Sequence, residues 1–259
     1  MDEKKRIEEL LVADNIRLNR RHFILELRSA MKLPLMLPGQ FVQARVEDSP
    51  TTFLRRPFSV HSVDYATNTF RLLIQVKGPG TRRLSALKPG DRLDLIYPLG
   101  NSFSIPLAGE ALLVGGGCGV APLLFLAQFL SRNNIHTTIL LGFNTKEEVS
   151  ETGLYAAYGK VLITTDDGSE GEKGLVVDHS IFQQERLKFK KIYCCGPEAM
   201  MKAVARIARM HRIDCEVSLE NMMACGFGVC LCCVTPTNKG NERVCVEGPV
   251  FNIERLGWK

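Results

Sequence analysis

The sequence predicts a chain of three parts: an N-terminal antiparallel β-barrel or sandwich over residues 1–105, a parallel α/β domain over 106–218, and a cysteine-rich segment over 219–259. Three observations carry this. Short apolar segments separated by turn signals fill the chain up to about residue 100. From residue 111 onward, apolar strand segments alternate with helical stretches. Six of the nine cysteines then fall between Cys215 and Cys245.

In the first part, residues 15–18, 22–27, 41–46, 58–63, 70–76 and 93–97 are rich in aliphatic and aromatic side chains. Pro38-Gly39, residues 64–69, Gly78-Pro79-Gly80 and Pro89-Gly90-Asp91 punctuate them. Strands at this spacing predict an antiparallel barrel or sandwich. In the second part, strands are expected at 111–114, 137–143, 161–165, 191–195 and 215–219, with helices at 122–131 and 198–211. Strands alternating with helices predict a doubly wound parallel sheet.

The 259 residues carry 45% hydrophobic and 24% charged side chains, enough to bury the cores of two compact domains. The net charge of +5 is spread over doublets such as Arg20-Arg21 and Arg82-Arg83. No basic block points to nucleic acid. The longest uncharged stretch, 111–131, is broken by Gly115, Gly116, Gly117, Gly119 and Pro122, a poor membrane span. The opening Met-Asp-Glu-Lys-Lys and the acids that follow argue against an export signal. A cytoplasmic protein is expected, and clustered cysteines in a reducing compartment point to metal rather than disulfides.

Cys225, Cys230 and Cys233 are spaced C-x4-C-x2-C, and Cys245 follows after eleven residues. This is the plant-type [2Fe–2S] spacing, in which four thiolates converge on two irons. Gly226 and Gly228 let the loop fold around inorganic sulfur. The competing reading is a structural zinc site, although zinc knuckles usually show two C-x-x-C pairs. Cys232 is expected to be a buried spectator, and Cys118, Cys194 and Cys215 to be core or nucleotide-site residues.

Arg56-Pro57-Phe58-Ser59 opens a strand; its guanidinium suits a pyrophosphate and its hydroxyl a flavin edge. The strand holding Leu73, Ile74 and Gln75 runs into Gly78-Pro79-Gly80-Thr81, a turn whose amides and hydroxyl suit phosphate. Gly115-Gly116-Gly117-Cys118-Gly119 joins a buried strand to a helix with Pro122 in its first turn. Cys195-Gly196-Pro197 ends a later strand in the same way. Both turns fall at carboxyl ends of parallel strands, where open α/β sheets bind nucleotides, with Gly115, Gly117, Gly119, Pro122, Cys195, Gly196 and Pro197 as the candidate residues. The bland alternative is a pair of tight strand-to-helix turns. Asp166-Asp167 after a later strand, with only Lys146 as a nearby base, lean toward NAD over NADP.

This ordered set resembles the ferredoxin–NADP reductase superfamily. The run from Ser218 to Cys230, with Cys245-Val246-Glu247-Gly248-Pro249, narrows the resemblance to the electron-transfer subunits of type B dihydroorotate dehydrogenases. That resemblance implies one FAD on Arg56, Pro57, Phe58, Ser59, Leu73, Ile74, Gln75, Gly80 and Thr81. It implies one [2Fe–2S] cluster on Cys225, Cys230, Cys233 and Cys245, and NAD+ as electron acceptor. It further implies an FMN-containing catalytic partner that oxidises dihydroorotate in pyrimidine (UMP) biosynthesis, in a heterotetramer of two catalytic and two electron-transfer subunits. No dihydroorotate site is visible in this chain. Two rivals remain: an NAD(P)H-linked FAD/[2Fe–2S] subunit serving a ferredoxin or polysulfide partner, and a non-enzymatic zinc-stapled binding module.

Overall fold

The computed structural model describes residues 5–258. Its first sheet comprises β1 (Arg6–Arg17), β2 (His22–Arg28), β3 (Phe41–Ala44), β4 (Arg56–Ser59), β5 (Ser62–Asp64), β6 (Thr69–Gln75) and, after the short helix α1 (Pro79–Leu84), β7 (Arg92–Leu99). The order is β4-β3-β7-β1-β2-β6-β5, antiparallel throughout. β4 and β5 sit at opposite edges yet follow one another in the chain, so the sheet must curl. The segment between them spans the gap: the Val60 N–H donates to the Gln40 carbonyl at 3.0 Å, and the His61 N–H to the Arg71 carbonyl of β6 at 2.9 Å. Leu10, Phe23, Leu25, Val42, Leu72, Ile74, Leu95 and Tyr97 fill its interior.

The second sheet is built from β8 (Glu110–Gly116), α2 (Ala121–Arg132), β9 (His136–Phe143), the short α3 (Thr152–Ala156), β10 (Lys160–Thr165), β11 (Glu172–Lys173), β12 (Lys191–Cys195), α4 (Glu198–Met210) and β13 (Asp214–Ser218). Its parallel order is β11-β10-β9-β8-β12-β13. Strand order reverses at β8, which lies between β9 and β12. The switch point therefore falls beside the Gly115–Gly119 loop and the Cys195–Pro197 turn.

The sequence reading differs from the structure in several places, among them the segment 58–63, which is two strands, β4 and β5. β1 is a twelve-residue strand beginning at Arg6, not a short one at 15–18; its exposed outer face (Ile7, Glu9, Leu11) hides the alternation. The Gly-Pro-Gly turn is the first turn of α1. The cysteine segment contributes β16 (Val250–Asn252), which runs antiparallel along β13 and completes the second sheet. Between these lies a hairpin of β14 (Val234–Thr237) and β15 (Gly240–Arg243). No described helix is long and apolar enough to cross a membrane.

Several polar groups lock barrel, α/β domain and cysteine segment together. Asn101 donates to the carbonyls of Glu247 (2.9 Å) and Val250 (2.8 Å) and accepts the Val250 N–H (2.9 Å). His61, wholly buried at the end of the barrel strand, donates through Nδ1 to the Ala121 carbonyl at 2.7 Å, and its Nε2 lies 3.1 Å from a Glu151 carboxylate oxygen. The Tyr155 hydroxyl donates to the neighbouring Val120 carbonyl at 2.8 Å. These contacts clamp the first turn of α2. His61→Ala strands two buried acceptors and leaves a void. We expect it to destabilise the chain by about 3 kcal/mol, a fall of roughly 6–12 °C in melting temperature. Calorimetry on the wild type and variant would check this.

Candidate functional site

A cavity of about 240 Å³ opens where the three parts meet. The barrel contributes Phe41, Pro57, Phe58, Ser59, Leu73, Gln75, Lys77 and Thr81. The α/β domain contributes Cys118, Ala121 and Ser218, and the cysteine segment contributes Leu219, Glu220, Asn221, Met223 and Pro249. Strand alternation explains the barrel wall: Leu73 and Gln75 flank the cavity, while the intervening Ile74 points into the barrel core. Ile74 thus departs from the expected contact set. Gly80 is buried in α1 against Thr52, again away from the cavity. The Thr81 hydroxyl is occupied by the N–H groups of Lys77 (2.8 Å) and Gly78 (3.1 Å), so it shapes the turn. Arg56 sits at the start of β4 with Nη1 on the Leu54 carbonyl at 2.8 Å.

The cavity is mostly apolar, with the hydroxyl of Ser59, the amides of Gln75 and Asn221 and the ammonium of Lys77 among its lining groups. That is the donor set a flavin ring needs. Burial pushes the Cys118 thiol up to about 11, with Glu220 adding to the effect. Desolvation likewise raises the Glu220 carboxyl above its ordinary range, against the pull of Lys77 and the Cys195 thiol, whose Sγ lies 3.9 Å away. Sequence reasoning missed Lys77, Glu220 and Asn221. Two signals were available: Glu220 and Asn221 follow the carboxyl end of β13 and lie within the Ser218–Cys230 run.

A second cavity, of about 310 Å³, lies over the carboxyl ends of β8, β9 and β10. Gly116, Gly117, Asn144, Asp166, Pro197 and Met200 are among its lining residues. Of the expected glycines, Gly117 lines it at φ +54°, with Gly116 as an unforeseen neighbour. Gly115 and Gly119 serve packing instead. A Cβ on Gly115 would meet Leu123 Cδ1 at 2.8 Å, and one on Gly119 would meet Gly196 Cα at 2.4 Å. Pro122 is buried in the first turn of α2, and Cys195 is buried beneath the turn. Gly196 and Pro197 border a third, open cleft that shares Leu219, Glu220 and Asn221 with the first cavity.

The four cysteines fall into two pairs. The Cys225 N–H points at Cys230 Sγ and the Cys230 N–H at Cys225 Sγ, each at 3.5 Å. The Cys245 N–H points at Cys233 Sγ at 3.4 Å, and this pair is buried. Burial opposes ionisation of Cys225, but the N–H groups of Cys230, Phe227 and Val229 outweigh it and lower its pKa. Cys245 is pushed up by burial and by Cys233 beside it. Two thiol pairs, with N–H groups already aimed at sulfur, suit a two-iron cluster. Gly226 (φ +78°) and Gly228 (φ +94°) supply the loop's left-handed turns. Cys232 is exposed, with its thiol toward the Met222 carbonyl at 3.8 Å, so the expected buried spectator is a surface residue.

A barrel with an apolar cavity edged by polar groups, a switch-point nucleotide cleft and a paired-cysteine loop together define an iron–sulfur flavoprotein reductase. The comparisons agree. Residues 9–103 match the oxidoreductase FAD-binding domain, 113–206 the oxidoreductase NAD-binding domain, and 220–257 the iron–sulfur cluster binding domain of dihydroorotate dehydrogenase B. The dihydroorotate dehydrogenase B (NAD+) electron transfer subunit of Fusobacterium nucleatum is 36% identical over 253 residues, covering 95% of this chain and 96% of that protein. Its counterpart in Caldanaerobacter subterraneus is 40% identical over 223 residues, 85% of this chain and 86% of that one. A solved NADH-dependent reduced ferredoxin–NADP oxidoreductase superposes with a TM-score of 0.87 at 32% identity, covering 96% and 90% of the two chains. The chain belongs to the family of dihydroorotate dehydrogenase B electron transfer subunits.

Proposed function

We propose that this chain carries electrons from the FMN of a dihydroorotate-oxidising catalytic subunit to NAD+, through a [2Fe–2S] cluster on Cys225, Cys230, Cys233 and Cys245 and an FAD in the first cavity. FAD, when bound, converts between one-electron and two-electron traffic. The observation that carries the reading is that the cysteine segment itself walls the first cavity, through Glu220, Asn221, Met223 and Pro249. Cluster and flavin would then be neighbours.

The chain's own residues do the positioning. Phe41, Phe58 and Leu73 would keep water from a bound flavin, and Ser59, Gln75 and Lys77 would offer it hydrogen bonds and charge. In the second cavity Asp166 is the one charged lining residue and no Lys or Arg is present. A carboxylate there suits a ribose 2′-hydroxyl and repels a 2′-phosphate, which favours NAD over NADP. Met222 (85% exposed), Val229 (73%), Leu231 (61%) and Phe227 (46%) rim the cysteine loop. This apolar rim is where the catalytic subunit would dock, in a cytoplasmic heterotetramer of two catalytic and two electron-transfer subunits.

The test is co-expression with an FMN-containing dihydroorotate-oxidising protein and anaerobic purification. We expect a brown complex of two plus two subunits, with about two irons and one FAD per copy of this chain, that reduces NAD+ with dihydroorotate. A colourless zinc protein would overturn the reading. So would a complex that ignores dihydroorotate yet reduces ferredoxin.

A further inference from the structure

Gln43 lies within β3, and its side chain is wholly buried. Neither its Oε1 nor its Nε2 has a hydrogen-bond partner. Only its backbone is engaged, with the carbonyl accepting from Arg55 Nη1 at 3.2 Å. Asn19, His22, Glu242 and Arg255 also hold a buried unpaired atom, but each is fastened elsewhere by a hydrogen bond or ion pair, and Asp94 Oδ1 faces Arg55 Nη2 at 2.9 Å. Among these Gln43 alone has both ends of its side chain open. An amide in that state costs about 1–3 kcal/mol, so the residue weakens the free fold.

What it faces is specific. A Cβ on Gly226 would sit 2.5 Å from Gln43 Cγ and 2.6 Å from Nε2, so the carboxamide presses on the backbone of Gly226. Gly226 directly follows Cys225 and stands at φ +78°. Only a residue without a side chain leaves room for the amide there. The loop's own N–H groups already point at Cys225, Cys230 and Cys233 sulfurs. Gln43 brings a further donor to the same loop from the barrel. Its strand also carries Phe41, which lines the first cavity.

We propose that Gln43 donates an Nε2–H hydrogen bond to a sulfur of the [2Fe–2S] cluster beside Cys225 and thereby raises the cluster's reduction potential. The proposal rests on the cluster reading above. A donor to sulfur stabilises the more negative, reduced cluster, so removing it favours the oxidised one. Gln43 is a tuning and positioning residue: it transfers no electron, and it couples the barrel to the cluster loop.

The experiment uses the loaded complex and Gln43→Met, which keeps the volume and removes the donor. In an EPR-monitored redox titration the cluster potential should fall by roughly 59 mV, a ten-fold change in the one-electron equilibrium. The FAD potential should not move with it. The iron-free variant should melt higher than the iron-free wild type, because the orphaned amide is gone. An unchanged cluster potential overturns the proposal, as does a shift confined to FAD, which would assign the amide to the flavin. If the variant fails to load, the wild type with 15N-labelled glutamine side chains decides. Pulsed EPR of the reduced cluster should then show a 15N coupling, and its absence overturns the proposal. A wild type that holds no iron–sulfur cluster sinks the cluster reading itself, which separates the two failures.

Discussion

Cys233→Ser is expected to leave a protein with FAD but no cluster, while Cys232→Ser keeps its full iron content. The two positions are adjacent in sequence and opposite in environment. Cys233 is buried, and the Cys245 N–H points at its sulfur at 3.4 Å. Cys232 is exposed and turns toward the Met222 carbonyl. Serine in place of Cys233 leaves one iron with a single thiolate inside a buried pair, where a hydroxyl is a poor substitute for sulfur. NAD+ reduction driven by the catalytic partner should fall at least ~100-fold, since even second-shell changes at metal sites cost 10–100-fold. NADH should still bleach the flavin, because hydride transfer bypasses the cluster. Iron analysis and visible spectra of the two variants check the assignment; the reverse pattern would move the ligand to Cys232.

Gly119→Ala should have the next largest effect. The added Cβ would fall 2.4 Å from Gly196 Cα and 2.5 Å from the carbonyl carbon and oxygen of Cys195. These are backbone atoms of the facing turn, with no side-chain rotation to relieve them. The two loops at the switch point must part. We expect about 3 kcal/mol of destabilisation, or roughly 6–12 °C in melting temperature. NAD+ reduction should drop about 100-fold, the usual consequence of a 1 Å misplacement. Iron content should hold, since neither turn belongs to the cysteine loop. Gly117→Ala is the contrast. Nothing lies within 4 Å of its Cβ, and its cost is limited to the left-handed φ of +54°, about 1–2 kcal/mol. Melting curves and turnover for both variants test the difference.

Much of this was legible from residue order. Cysteine spacing, the Arg56–Ser59 string and the two glycine turns are local signals, and their chemistry depends on local backbone geometry. The structure brings them to one junction. What sequence could not show is which member of each string faces the site. Ile74 sits between Leu73 and Gln75, and only the barrel's curvature decides which face is core. Gly119 and Gly117 look equivalent in the motif, yet one packs against backbone and the other lines a cavity. Cys232 and Cys233 differ by burial, which long-range packing sets. Gln43 carries no motif at all, and Lys77 and Glu220 lie beside or within motifs that do not mark them as lining residues; they matter because strands distant in sequence end at the same place.

The strand β16 has a bearing on how such a chain can be divided. It covers β13, which would otherwise present a bare row of backbone donors and acceptors to solvent. A flavin reductase made by cutting this chain ahead of its cysteines would lose that cover, and its open margin would invite self-association. The electron relay is therefore not a detachable module. It is bound into the folding unit whose cofactors it serves.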